Sequence, residues 1–433
     1  MLTAVDSAIM VLDAAKGIES QTLKLFEICR LRQIPIFTFI NKLDRPALAP
    51  LALLDEIEDA LQLQVFPVTW PLGAGADFRG VADRRRRRIH LFERVPGGAY
   101  RAPVTVVDRF DDDLGALLGP ETLRHALDEL AVLDAAGERF DLAAVRGGDL
   151  TPVFFGSASN NFGVQMLLDG FLELSQPPRP QRSRSGEIPP DDPRFSGFVF
   201  KIQSNMDPRH RDQIAFVRVC SGRFERDMRV LNPRTGGSLR LSSSHKVLGR
   251  ERETVDEAYA GDVVGIVGHA EFRIGDTLTT DASIVYHGVP RFAPEHFAFL
   301  HCPNSSQFKR FRAGLDHLLQ EGVVQKFVLQ GEAARAPLLG AVGPLQFEVL
   351  RHRLLSEYGA DSGLEASPWE IIRWVGRSRE AAVGEDILPM GSRLARDPDG
   401  GLVILFEKEW ECRYFMERHP DIPLSKLPPA GGS

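Results

Sequence analysis

Three runs in this chain, "SAIMVLDA" (7–14), "PIFTFI" (35–40) and "TPVFFGSA" (151–158), are apolar at successive positions instead of alternate ones. A strand of that kind has to be covered on both faces, and chains meet that demand with a parallel sheet whose crossovers are helices. The 3.6-residue spacing predicts helices over 20–33, 51–61 and 164–174, where such crossovers belong. Residues 1–175 are therefore expected to form an α/β domain. Before the third strand comes an insertion of about 80 residues, which holds five consecutive arginines, Arg84–Arg88, and a helix predicted over 121–136.

The pattern changes after residue 175. "SQPPRPQRSRSGEIPPDDPR" is rich in proline, serine and charge and has no hydrophobic period, so residues 176–194 are expected to be an extended interdomain linker. Residues 195–285 then give short β-type runs, among them "FSGFVFKI", "IAFVRVCSG" and "DVVGIVG", punctuated by Gly, Asn and Asp, as in an all-β barrel. From 292 to 426 strands and helices mix in an α+β pattern. The clearest helix, "PLQFEVLRHRLLSEYG", has proline at its start, glycine at its end and an apolar stripe of Phe347, Leu350, Leu354 and Tyr358. Residues 427–433, "LPPAGGS", are expected to be disordered. The reading is thus a multidomain α/β chain.

Composition narrows the function classes. With 43% hydrophobic and 26% charged residues the chain has the make-up of a soluble globular protein, and no run reaches the roughly 18 apolar residues of a membrane span. The start has neither a basic flank nor a small-residue cleavage site, so the chain is expected to be cytoplasmic; a monomer is expected as well. The four cysteines form no C-x-x-C pair and are read as reduced and structural. Fifty-two basic against 59 acidic residues give a net charge of -7, which argues against a DNA-coating protein and leaves RNA to local basic patches. Arg84–Arg88 is one such patch, although a charge run at a hairpin turn is more often simply solvated. The histidines show no metal spacing, and no Ser/His/Asp arrangement is present.

One motif carries specific chemistry. The second strand runs into Asn41-Lys42-Leu43-Asp44. A carboxylate such as Asp44 can accept two parallel hydrogen bonds from guanine N1–H and its 2-amino group, a donor pair adenine lacks. Lys42 can lay its alkyl stem along the base, and the Asn41 amide can hold the loop and touch the purine edge. The same residue types also serve a polar turn after a strand. A second loop, Gly156-Ser157-Ala158, follows the third strand, and its Ala158 N–H can donate to guanine O6. Loops at the ends of separate parallel strands are where such sheets bind ligands.

With these elements in place the chain resembles the peptide chain release factor 3 family, translational GTPases related to elongation factors Tu and G. "LTAVDSAIMVLDAAKGIE", "TFINKLDR", "TPVFFGSASNNFGVQMLLDG", "NMDPRHRDQIAFVRV" and "GAVGPLQFEVLRHRLLSEY" carry the resemblance, which covers nearly all of residues 2–425. It implies that Asn41, Lys42, Asp44, Ser157 and Ala158 hold the base of GTP or GDP, with Mg2+ beside the phosphates in the full-length family. It further implies as partners the ribosome, both its RNA and its proteins, and class I release factors. Arg209, His210 and Arg211 would then lie in a ribosome-facing barrel loop.

Two family motifs are missing from these 433 residues. No Gly-Lys dipeptide occurs, hence no G-x-x-x-x-G-K-[ST] phosphate loop, and no Asp-x-x-Gly precedes the Asn-Lys-x-Asp loop. The chain as given is accordingly expected to be an N-terminally truncated fragment without a metal site, unable to bind GTP tightly or hydrolyse it. Its first strand is expected to be an exposed sheet edge. A non-enzymatic ribosome-binding remnant and another translation GTPase, such as a ribosome-protection factor, are the alternative readings.

Overall fold

A computed structural model describes residues 2–93, 104–107, 112–137, 139–204, 213–248, 251–269, 271–286, 293–331 and 336–427. Two compact units result, residues 2–179 and residues 180–433. The expectations for Arg209, His210 and Arg211, and for residues 428–433 of the C-terminal tail, lie outside the described residues.

The first unit begins with β1 (Ala8–Asp13), α1 (Ser20–Leu31), β2 (Ile36–Asn41) and α2 (Pro50–Leu61). It continues with β3 (Gln64–Pro67), β4 (Thr69–Leu72), β5 (Gly80–Asp83), β6 (Arg88–Phe92), β7 (Val104–Val107) and α3 (Asp112–Leu118). It closes with α4 (Pro120–Ala135), α5 (Leu142–Gly147), β8 (Leu150–Phe155) and α6 (Val164–Leu174). The strands β1-β2-β8-β3, in that order, form an all-parallel sheet. One face packs Leu12, Ile40, Val153 and Phe155 against α1 and α2 residues such as Phe26 and Ile57. The other packs Phe37, Phe39 and Phe154 against α6, where the Phe37 and Phe171 rings meet edge-on at 4.9 Å. This double coverage is what the unbroken apolar runs demand.

Sequence reading missed β3 as a sheet member. It is four residues long, ends in Pro67 and runs almost directly into β4, which contains Pro71, so its apolar signal merges with its neighbour's. A proline within a strand belongs at a sheet edge, and β3 lies at one. Among the described residues β1 pairs only with β2, and its Val11 is 56% exposed and Ile9 37%, although both are strongly apolar.

The insertion between β3 and β8 is an antiparallel sheet, β4-β5-β6-β7, with α4 against it. The buried Trp70 indole N–H donates to Glu129 Oε2 at 3.0 Å, fixing β4 to α4. The arginine run turns from β5 into β6, and Arg84, Arg85 and Arg86 meet partners far along the chain. Arg84 pairs with Asp134 at 3.0 Å and lies over the Phe66 ring. Arg85 and Arg86 each reach a separate oxygen of Glu173 on α6, at 3.0 and 2.8 Å, and Arg85 lies 4.4 Å from the Phe140 ring centroid. These arginines fasten the inserted sheet to the parallel one.

In the second unit, the stretch expected to be a plain linker contains a hairpin, β9 (Gln181–Ser183) and β10 (Gly186–Ile188). Ser183 Oγ donates to Gly186 O and accepts from Ser185 N, and Gly186 has φ +118°. Its one strongly apolar residue, Ile188, is buried with Phe198, Cys220, Ile284 and Tyr286. The serines read as part of an extended linker therefore build the turn. Beyond the hairpin an eight-stranded antiparallel sheet spans residues 196–279 among the described residues, folded around Val199, Val217, Val219, Phe224 and Ile266. A second eight-stranded sheet from residue 296 onward carries α7 (Phe308–Gln320) and α8 (Leu345–Tyr358), with α9 (Glu409–Arg418) after it. At the end of the 196–204 strand, Ser204 N donates to Glu321 Oε1 at 2.8 Å, and the same carboxylate pairs with Arg353 of α8.

Candidate nucleotide-base site

The register of β2 on β8 places Thr38 opposite Val153, Phe39 opposite Phe154 and Ile40 opposite Phe155. Both strands therefore end side by side, and the loops that follow them, 41–44 and 156–161, meet at the carboxyl edge of the sheet. Backbone bonds stitch the loops together: Gly156 N donates to Ile40 O at 2.9 Å and Leu43 N to Gly156 O at 3.2 Å. Glycine is required at 156, because a Cβ there would stand 2.2 Å from Phe162 O and 2.8 Å from the Phe39 ring.

Asn41 joins the two loops. Its Oδ1 accepts from Lys42 N and from Ala158 N, each at 2.8 Å. The Ala158 N–H, expected from sequence to face guanine O6, is thus engaged by Asn41. The Asn41 amide nitrogen is a donor with no partner among the described residues. Ser157 is fully buried. Its Oγ lies 3.1 Å from Ser159 Oγ and accepts from Asn160 Nδ2 at 3.0 Å, so its part is to shape the second loop.

Asp44 is half-buried. Its Oδ2 lies 3.5 Å from Ser159 Oγ, the limit of a hydrogen bond, while its Oδ1 is buried with no hydrogen-bond partner among the described residues. A buried carboxylate oxygen without a donor costs about 1–3 kcal/mol, more for a charged group, and such a group calls for strain, a functional role or an ordered water or ion to explain it.

Lys42 takes the left-handed backbone conformation, φ +71°, and its ammonium reaches Asp13 Oδ2 at 2.7 Å. The Lys42 ammonium, helped by the Ala15 N–H on Oδ1, holds the Asp13 carboxyl below its ordinary range. A carboxyl lowered in this way keeps the pair intact at neutral pH and loses it only as pH falls through the depressed value. Sequence reasoning did not single out Asp13. The available signal was its place as the last residue of β1, in register with Asn41 at the end of β2.

The site offers acceptors at Asp44, a flat alkyl stem at Lys42 and donors at Asn41 and Ala158. That set suits a purine with an N1–H and 2-amino pair on one edge and a carbonyl on the next. A cavity of about 630 Å3 lies at the opposite, amino end of the strands, lined by Phe26, Arg30, Ile36, Gln64 and Asp149, and is separate from these loops. No group of three or more His, Cys, Asp or Glu side chains able to hold a metal is present among the described residues. Among them, too, no helix is long and apolar enough to cross a membrane.

Comparison with known proteins gives matches along nearly the whole chain. Residues 1–177 match the elongation factor Tu GTP binding domain, 194–281 elongation factor G domain 2, and 286–416 the class II release factor RF3, C-terminal domain. The chain is 49% identical over 428 residues to peptide chain release factor 3 of Gloeobacter violaceus, covering 99% of this chain and 81% of that one. It is 49% identical to the protein of the same name from Synechococcus elongatus, covering 99% and 77%. A crystal structure of a Thermus thermophilus protein superposes with a TM-score of 0.64 at 21% identity, covering 92% of this chain and 59% of that chain, which speaks to the fold alone. With a guanine-suited loop pair on an elongation-factor-type sheet, followed by the two further translation-factor domains, the chain belongs to the peptide chain release factor 3 family, translation termination factors of the guanine-nucleotide-binding GTPase class.

Proposed function

We propose that the loops 41–44 and 156–158 read the guanine of GTP and GDP, and that the protein uses GTP binding and hydrolysis on the ribosome to drive class I release factors off after peptide release. The reading places it in the cytoplasm as a monomer, with ribosomal RNA and proteins as its other contacts. The Asp44 carboxylate, half-buried beside the junction of the two loops and with no donor closer than 3.5 Å among the described residues, is the observation that carries base recognition. Guanine N1–H and its 2-amino group supply the two donors this carboxylate lacks. O6 then shares the Ala158 N–H with Asn41 Oδ1, and the Asn41 amide nitrogen donates along the purine edge.

Residues 1–433 contain no Gly-Lys phosphate loop, so this polypeptide is proposed to hold the base and to leave the phosphates, and the Mg2+ that accompanies them in the family, without their usual ligands. Each charge-assisted phosphate contact is worth roughly 1.5–3 kcal/mol, so the absence of several reduces affinity by orders of magnitude.

Nucleoside selectivity tests the base reading without involving phosphate. Titrated into the 433-residue chain and followed by 1H-15N NMR, guanosine is expected to shift the Ala158 and Lys42 amide resonances while adenosine at the same concentration leaves them unmoved. Equal shifts with both nucleosides would contradict base reading at this site.

A further inference from the structure

We propose that Asp13 is a positioning residue for base recognition, its carboxylate fixing the Lys42 side chain across the mouth of the two loops. The inference rests on the reading of Asn41, Asp44 and Ala158 as guanine contacts and brings a third strand into the site.

Asp13 is held by the sheet. It is the last residue of β1, opposite Asn41, and the ladder runs one step further through Ala14 N to Asn41 O at 2.9 Å. Its two carboxylate oxygens are divided. Oδ1 accepts from Ala15 N at 3.0 Å, which fixes the rotamer, and Oδ2 faces Lys42 Nζ at 2.7 Å. The pair is partly shielded, with the Asp13 side chain 18% exposed and Lys42 47%.

Lys42 is thereby held at both ends. Its backbone N–H is bound by Asn41 Oδ1 and its ammonium by Asp13. A four-carbon stem tethered in this way spans from the end of β2 to the end of β1. Left free, the same stem would sample many rotamers and would have to be ordered by the ligand. Asp13 makes no contact with the base in this scheme and acts only through Lys42.

Asp13→Asn isolates the charge, because the amide oxygen still accepts from Ala15 N while the anion facing Lys42 is gone. In the full 433-residue chain, guanosine affinity read from the Ala158 amide resonance is expected to weaken about fivefold at low salt, the scale of a partly exposed ion pair. Raising salt from about 0.01 M to about 1 M cuts the Debye length from about 30 Å to about 3 Å, so the gap between wild type and variant is expected to close. A purely structural role for Asp13 in the loop gives no such salt-dependent gap. An Asp13→Asn chain that binds guanosine as wild type does at low salt overturns the proposal. Asp44→Ala separates the two readings. If it abolishes the guanosine response while Asp13→Asn has no effect, positioning alone fails. If Asp44→Ala also leaves binding intact, or if the wild-type chain gives no response, base reading and positioning fail together.

Discussion

Asp44→Asn is expected to exchange guanosine for xanthosine as the nucleoside this chain recognises. The Asp44 carboxylate offers two acceptors, and guanine meets it with two donors, N1–H and the 2-amino group. An asparagine offers one acceptor and one donor, so one guanine donor faces another donor and the anionic charge is lost. Charge-assisted bonds are worth about 1.5–3 kcal/mol each, and their loss together with an unpaired donor corresponds to roughly a hundredfold in affinity or more. Xanthine keeps N1–H and carries a carbonyl where guanine has its amine, so it matches the asparagine. The unpartnered Oδ1 makes this position sensitive, since no protein donor among the described residues competes for that oxygen. NMR titration of both nucleosides into both chains reads the exchange. An Asp44→Asn chain that keeps its guanosine response would show that the carboxylate does not touch the base.

Gly156→Ala is expected to damage both stability and base recognition. The new methyl would stand 2.2 Å from Phe162 O, which cannot move freely because it accepts from Ser157 N at 2.9 Å, and 2.8 Å from the Phe39 ring buried under α6. Relief requires the second loop to shift away from β2, which breaks the Leu43 N to Gly156 O bond and draws Ala158 N off Asn41. Overpacking against backbone costs about 1–3 kcal/mol, and the upper end is expected here. Urea unfolding should show the transition of the 2–179 unit at lower denaturant, together with loss of the guanosine response. A variant within about 0.5 kcal/mol of wild type would mean that the loop has slack.

How legible these features were in the sequence depended on whether the signal was local. Unbroken apolar runs gave β1, β2 and β8 and their parallel pairing, and for β2 and β8 burial on both faces writes itself into nearly every position of the strand. Asn41, Lys42 and Asp44 were readable because one short loop holds them all. β3 escaped because four residues ending in proline carry too little pattern to stand apart from β4. The β9–β10 hairpin escaped because its stability comes from serine hydroxyls and one buried isoleucine, in a stretch whose composition otherwise reads as unstructured. Arg84–Arg86 show the same limit. A charge run announces itself in sequence, yet its partners Asp134 and Glu173 lie about 50 and 90 positions away, and only the fold brings them together. Asp13 belongs with these, since its link to Lys42 spans two strands and the crossover between them.

The claim that this chain carries the base-reading half of a guanine nucleotide site without the phosphate-holding half is tested most directly by titrating GDP and guanosine side by side, with and without Mg2+. In a complete site the phosphates add several charge-assisted contacts and dominate affinity. For residues 1–433 the expectation is that GDP binds within about tenfold of guanosine, a difference of about 1.4 kcal/mol, and that Mg2+ changes neither. Micromolar or tighter binding of GDP that strengthens with Mg2+, against weak binding of guanosine, would contradict it.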